Sequence, residues 1–216
     1  MTPYYQQDGI TIYHGDCRDV LGPLSALRTG ASAFDLLLTD PPYGIRFAAQ
    51  PTKWQRRAGQ IAESWDEGTS DERVAVARSL CRLQIIFGGN YYDLPPARCI
   101  LSWFKPDAPP SMGNVEYAWT NLNQNSRQIC VSIGATNGER VGHPTQKPEA
   151  VMRWALMQAP EAIRVLDPFM GSGTTLVAAK RLGRQATGIE REEKYCEIAA
   201  RRLSQGALDL FGEATA

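Results

Sequence analysis

The chain has 216 residues, enough for one domain with a three-layer α/β core. Its charges balance at 23 basic and 23 acidic residues. No overall basic field therefore marks a nucleic-acid binder, although balance leaves a local basic face open. No apolar run approaches membrane-spanning length, and no charged-then-apolar leader is visible, so a soluble cytoplasmic protein is expected. The cysteines (Cys17, Cys81, Cys99, Cys130 and Cys196) form no Cys-x-x-Cys pair, and neither His14 nor His143 sits at metal spacing from them. That argues against a structural zinc or a disulfide framework and leaves reduced thiols.

In chain order, Ile10–His14 reads as a short strand ending at Gly15-Asp16, and residues 20–27 as a brief helix. Phe34–Thr39 is a continuous apolar run of the kind that forms a buried parallel strand. Residues 46–68 are polar and without period, so they read as a long loop, which in a compact domain is often functional. A helix is expected over 71–82 and a strand over 84–87, closed by Gly88-Gly89-Asn90. Three strand-like runs follow at 99–104, 115–120 and 127–133; with no helix between them they are expected to be antiparallel neighbours. Residues 148–158 form a helix, 163–166 a strand, 173–182 a helix, 184–189 a strand and 192–203 a charged amphipathic helix. Strand and helix alternate at both ends around a hairpin-rich middle. The fold class is therefore α/β: a doubly wound, Rossmann-like sheet, mostly parallel with an antiparallel edge.

Two motifs carry chemistry. Asp40-Pro41-Pro42-Tyr43 follows the buried strand 34–39. Asp40 can accept a hydrogen bond from an exocyclic NH2, the prolines fix the backbone and aim its carbonyls, and Tyr43 can offer its face to a base. Alone, the motif is equally a strand ending in a Pro-Pro turn. The second motif, Asp167-Pro168-Phe169-Met170-Gly171-Ser172-Gly173-Thr174, is a glycine turn between a strand and a helix. Its backbone can approach a ligand closely. One strand later, Glu190 stands where a doubly wound fold presents a carboxylate to ribose hydroxyls. Gly-Lys-Ser/Thr is missing, so this is no phosphate-binding P-loop.

These two motifs, with His143-Pro144-Thr145-Gln146-Lys147-Pro148 between them, resemble the DNA amino-methyltransferases that modify adenine N6 or cytosine N4. The catalytic motif comes first and the cofactor motif last, like the β arrangement of that family, and the short length resembles its phage- or prophage-type members. The resemblance implies one methyltransferase domain over 1–216: a catalytic half about 1–105, a target-recognition segment about 106–140, a cofactor half about 141–205 and a tail 206–216. It implies S-adenosyl-L-methionine as cofactor. Asp40, Pro41, Pro42 and Tyr43 would hold the base, with Asp40 also bordering the cofactor. Asp167, Phe169, Gly171, Gly173 and Thr174 would wrap the methionine part and Glu190 would take the ribose. Asp16, with Cys17 beside it, would lie near the adenine, and Lys147, with Thr145, would meet the carboxylate. Bland readings stand beside these: Asp16 as a helix cap, Lys147 as a solvated residue at a helix start, and Glu190 as an acid next to a cap.

Cytosine-C5 methylation needs a thiolate that those enzymes place after proline; no Pro-Cys occurs here. Asp rather than Ser at position 40 favours adenine N6 by family resemblance, with cytosine N4 as the alternative and a non-catalytic DNA- or cofactor-binding relic as another. The base would have to flip out of the stack. DNA is the implied partner. Asn123, Gln124 and Arg127 are capable of base-edge contacts, or form only a polar turn; Arg46, Lys53, Arg56 and Arg57 could grip phosphates, or be merely solvated. β-type relatives often dimerise, so a homodimer is open. Leu208-Asp209-Leu210-Phe211 resembles peptides that dock into the bacterial sliding clamp, unless that tail packs back on the domain.

Overall fold

The computed structural model describes residues 2–26, 32–43, 71–110, 112–136, 138 and 146–209. The expected loop 46–68, the residues 141–145 and the tail from 210 lie outside the described residues. The elements in order are β1 (Tyr5–Gln7), β2 (Ile10–His14), α1 (Cys17–Ala26), β3 (Phe34–Thr39), α2 (Asp71–Ser79) and β4 (Cys81–Phe87). A 3-10 turn (Gly89–Tyr91), β5 (Ile100–Phe104), β6 (Val115–Thr120), β7 (Arg127–Cys130) and α3 (Ile133–Thr136) follow. The last five are α4 (Glu149–Met157), β8 (Arg164–Asp167), α5 (Thr174–Arg181), β9 (Gln185–Glu190) and α6 (Glu193–Asp209).

The strands form one nine-stranded sheet in the order β1-β2-β9-β8-β3-β4-β6-β5-β7. Its centre, β2 through β4, is parallel throughout. Antiparallel pairs lie towards both sides, β1 with β2 and β6 with β4 and β5. The doubly wound, mostly parallel fold is thus as the alternation of elements indicates. One expectation is corrected: β7 runs parallel to its neighbour β5, not antiparallel. The reason is in the connection. β6 fills the place between β4 and β5, and the chain then passes beneath the start of β5 to reach its far side. There the Cys99 thiol donates to the Asn125 carbonyl and the Ile100 N–H to the Ser126 hydroxyl.

Helices cover both faces, and β3 shows why its sequence is apolar without alternation. Leu36 and Leu38 point into a cluster with Val151, Leu156, Leu176, Ala178 and Cys196 from α4, α5 and α6. Leu37 points the other way, into a cluster with Phe34 from the start of the strand and Val20, Leu21, Val74 and Ala77 from α1 and α2. All three leucines are fully buried, each contributing about 1.5–3 kcal/mol. Four of the five cysteines are buried free thiols and Cys130 is an exposed one. Among the described residues no acidic, His and Cys group could hold a metal. No described helix is long and apolar enough to cross a membrane.

The layout fixes where a ligand can bind. From β3 the chain moves to β4 on one side, whereas from β8 it moves to β9 on the other. The crevice beyond the carboxyl ends of β3 and β8 is therefore the switch point of the sheet. Asp40 leaves β3 there, and Asp167 ends β8 beside it. Gly173 starts α5 in the left-handed region, at φ 79°. A side chain on it would bring a Cβ to 2.7 Å from the Ala199 Cβ, so glycine permits both the turn and the close packing of α5 on α6.

Candidate active site

A cleft opens at this switch point, lined by Asp16, Cys17, Asp40, Pro42, Lys147, Asp167, Phe169, Gly171, Thr174 and Glu190, among others. Ten residues singled out from the sequence thus converge from the ends of β2, β3, β8 and β9 and the starts of α1, α4 and α5. Pro41 is buried beneath the cleft, Gly173 forms the turn behind it, and Tyr43 flanks Asp40. Thr145 lies outside the described residues.

Asp40 is the hub of the catalytic side. Its Oδ1 accepts the Tyr43 hydroxyl at 2.5 Å, and its Oδ2 meets the Lys147 ammonium at 2.5 Å. Lys147 is buried and also pairs with Glu116 of β6 at 3.0 Å. Burial alone would lower its pKa, but Asp40 and Glu116 outweigh it and hold the ammonium well above the ordinary lysine range. The reading of Lys147 as a solvated residue is therefore excluded. The Tyr43 ring stacks on Tyr91 at 4.7 Å and 15°. It lies so close over Gly88 that an added Cβ would fall 2.0 Å from its Cε1. Burial, reinforced by the Asp40 carboxylate, pushes the Tyr43 phenol well up, so it stays a donor. The Tyr92 hydroxyl donates to the Pro42 carbonyl at 2.6 Å, fixing the backbone after the prolines.

The other side is built on three carboxylates. Asp167 is fully enclosed: Oδ1 accepts the Thr39 hydroxyl at 2.8 Å and the Phe169 N–H at 3.2 Å, and Oδ2 accepts the Thr175 hydroxyl at 2.5 Å. Burial dominates these donors and raises its carboxyl to about 6. Asp167 thus ties β3, β8 and α5 together where the turn begins. Glu190 accepts the Gly171 N–H at 3.0 Å and the Glu192 N–H at 2.8 Å. It both shapes the glycine turn and caps the approach to α6; burial raises its pKa. Asp16 caps α1, accepting the Arg18 N–H at 2.9 Å and the Arg18 side chain at 3.0 Å. These bonds from Arg18 hold its carboxyl below the ordinary range. The capping readings of Asp16 and Glu190 hold, and both carboxylates still border the cleft. Cys17 lies there too, with burial pushing its thiol up to about 11, which makes it a protonated, unreactive group.

The polar turn 121–127 lies elsewhere. Asn121 is held by its side chain against β4, accepting the Gln84 N–H at 2.8 Å and donating to the Arg82 carbonyl at 2.9 Å. From Gln84 up to Gly88, beneath Tyr43, the strand climbs about 13 Å. Asn123, which accepts from Arg98 at 2.6 Å, precedes the edge strand β7 on which the exposed Arg127 stands, and three strands, β4, β6 and β5, lie between β7 and the strand that leads into Asp40. The structure does not bring them to the cleft. Arg46, Lys53, Arg56, Arg57 and the tail segment ending at Phe211 fall outside the described residues or side chains.

Sequence reasoning missed Glu116, Lys105, Thr39 and Thr175. The Lys105 ammonium meets Glu116 at 2.8 Å and is itself buried. One signal was available: Glu116 shares the parity of the buried Ala118 on β6, and an acid at an inward position calls for a cation.

The fold is a doubly wound α/β sheet with a carboxylate-lined cleft at its switch point, where sheets of this kind bind ligands. Within it, residues 102–201 match a family model described as DNA methylase. That match takes in the motifs at 143–148 and 167–174, whereas Asp40–Tyr43 lies outside it. Type II methyltransferase M2.LlaDCHI of Lactococcus lactis subsp. cremoris is 54% identical over 66 residues, 30% of this chain and 24% of that protein. Type II methyltransferase M2.DpnII of Streptococcus pneumoniae is 55% identical over 62 residues, 28% and 23% of the two chains. The chain spans about a quarter of the length of these curated relatives. Its fold matches M1.HpyAVI in a SAM complex with a TM-score of 0.60 at 23% identity, over 90% of this chain and 98% of that one. It also matches the cytosine-N4-specific PvuII DNA methyltransferase with a TM-score of 0.59 at 18% identity, over 93% and 88%.

Proposed function

We propose that the chain is an S-adenosylmethionine-dependent DNA methyltransferase that methylates adenine N6 of a flipped-out base. The observation that carries this reading is the placement of the Asp40 carboxylate, braced by Tyr43 and Lys147, across one cleft from the Gly171 turn and Glu190. The similarity to Type II methyltransferases and the SAM complex of M1.HpyAVI support it.

The cleft suits that cofactor by its donor chemistry. Asp16 and Glu190 offer carboxylate oxygens suited to hydroxyl and amino groups, and the Gly171 turn has no side chain to obstruct a ligand. Bound there, S-adenosylmethionine supplies a methyl group on a positively charged sulfur. The chain's own work is orientation. The exocyclic nitrogen of adenine is a weak nucleophile because its lone pair is spread into the ring. Hydrogen bonds from its NH2 to Asp40 and to a carbonyl of the proline pair favour a tetrahedral nitrogen with a localised lone pair. Tyr43, already in a stack with Tyr91, offers an aromatic face for the flipped base. The high thiol pKa of Cys17 is in keeping with direct transfer without a thiolate intermediate.

Arg46, Lys53, Arg56 and Arg57 are proposed to hold the DNA backbone. Their segment leaves the described chain at Tyr43 and rejoins it before Arg73, both on the cleft side. Incubation with labelled cofactor and DNA, followed by nucleoside mass spectrometry, should yield N6-methyladenine. N4-methylcytosine would overturn the base assignment, and DNA left unmodified by cofactor-loaded protein would overturn the activity. Asp40→Ala should reduce transfer at least about 10³-fold while cofactor affinity is largely kept; turnover surviving that change would refute the role of Asp40.

A further inference from the structure

The charged groups around Asp40 form a chain that extends away from the cleft into β5 and β6. Asp40 holds Lys147 at 2.5 Å, Lys147 holds Glu116 at 3.0 Å, and Glu116 holds Lys105 at 2.8 Å. Charges alternate along it, and both ammonium groups are nearly inaccessible, at 8% and 4% exposure. The Lys147 ammonium also sits 5.3 Å from the Phe87 ring centre, and Lys105 lies 5.2 Å from that of Trp103. Aromatic faces and carboxylates thus enclose them on several sides. Glu116 is not among the cleft-lining residues. It stands on β6 opposite Trp103 of β5, on rigid sheet.

We infer that Glu116 is a positioning residue for Asp40, acting through Lys147 and anchored in turn by Lys105. An ammonium on a four-carbon stem has no fixed direction of its own. Here it lies between two carboxylates, and the one on the sheet is the fixed one. That sets where Lys147 can sit, and so holds Oδ2 of Asp40 in place while Oδ1 accepts the Tyr43 hydroxyl. Burial pushes the Glu116 carboxyl up, yet Lys147 and Lys105 together hold it down at about 2, in accord with a permanently charged anchor. Removing its charge would leave two enclosed ammonium groups facing one carboxylate, and Lys147 would no longer be centred. The proposal rests on the reading of Asp40 as the residue that orients the target amine.

Glu116→Gln keeps shape and removes charge. Two measurements separate this inference from the activity it rests on. In 15N-edited NMR, the enclosed Lys147 ammonium, assigned with Lys147→Arg, should give a sharp resonance in the unaltered protein that broadens or vanishes in Glu116→Gln, whatever the protein methylates. In methyl transfer to DNA, kcat per folded molecule should fall about tenfold or more, while the cofactor Kd stays within about twofold. The double variant Glu116→Gln/Lys105→Met relieves the excess positive charge. It should recover thermal stability but not kcat, and it carries the test if the single variant does not fold. A kcat within twofold of the unaltered protein in Glu116→Gln, or recovery of kcat together with stability in the double variant, would reduce Glu116 to a structural role and overturn the inference. If the unaltered protein transfers no methyl group, the proposed function fails instead, and the resonance still reports on the anchor.

Discussion

Replacing Asp167 by Asn should make the protein's stability less dependent on pH, and the size of the change can be worked out. Asp167 is enclosed, and its carboxyl is raised from 3.8 to about 6 because burial outweighs the bonds it accepts from Thr39, Phe169 and Thr175. A shift of about two units corresponds to ~3 kcal/mol. The folded protein holds this proton more tightly than the unfolded chain does, so stability falls as pH rises between about 4 and 6. Below that window the group is neutral in both states and the cost is absent; above it the full ~3 kcal/mol is lost. Asn has the same shape and does not titrate. Its amide would face the Thr175 hydroxyl, which must then accept instead of donate, an offset of about 1 kcal/mol at every pH. The informative quantity is therefore the difference between variant and unaltered protein, followed across pH. Urea unfolding at half-unit steps from pH 4 to 7 should show Asp167→Asn gaining ~3 kcal/mol relative to the unaltered protein over that range. A flat difference would mean that Asp167 is not held at a raised pKa, and the account of burial outweighing the bonds it accepts would fall.

Two further perturbations test the geometry around Asp40 and the DNA interface. Gly88→Ala puts a Cβ at 2.0 Å from the Tyr43 ring on a backbone with φ 65°; it should cost about 1–2 kcal/mol in a thermal melt and displace Tyr43 from Tyr91 and Asp40. Methyl transfer should then drop at least about tenfold with cofactor affinity unchanged; full activity would show that the stack is not needed. Replacing Arg46, Lys53, Arg56 and Arg57 together by Ala should flatten the dependence of log affinity for DNA on log salt by about 0.9 for each phosphate that is no longer neutralised. An unaltered slope would remove this segment from the DNA interface.

Local pattern was enough for much of the protein. The unbroken apolar run 34–39 indicates a strand covered on both faces, and the alternation around it indicates a doubly wound sheet whose ligands bind beyond the strand ends. Asp40, Asp167, Gly171 and Glu190 could be singled out because each stands at the end of an apolar strand or in a glycine turn, where sequence position and spatial position coincide. Other features depend on contacts between segments distant in the chain. The parallel pairing of β7 with β5 follows from β6 filling the place between β4 and β5, which no local periodicity records. The polar turn 121–127 looks suited to reading bases, yet strand order carries it to the edge strand β7, with β4, β6 and β5 between it and the strand that leads into Asp40. The sequence leaves Lys147 as a partner for the cofactor carboxylate or as a solvated residue, and only the packed structure balances its charge with Asp40 and Glu116. Sequence by itself determined most of the elements, the fold class and the strand-end carboxylates, because those follow from local hydrophobicity and turn chemistry; the short β1 and α3 carry too little local pattern to be read. Only the tertiary structure decided which charges share an enclosed space, since burial, and with it the strength of every ion pair around Asp40, exists only once the segments have packed together.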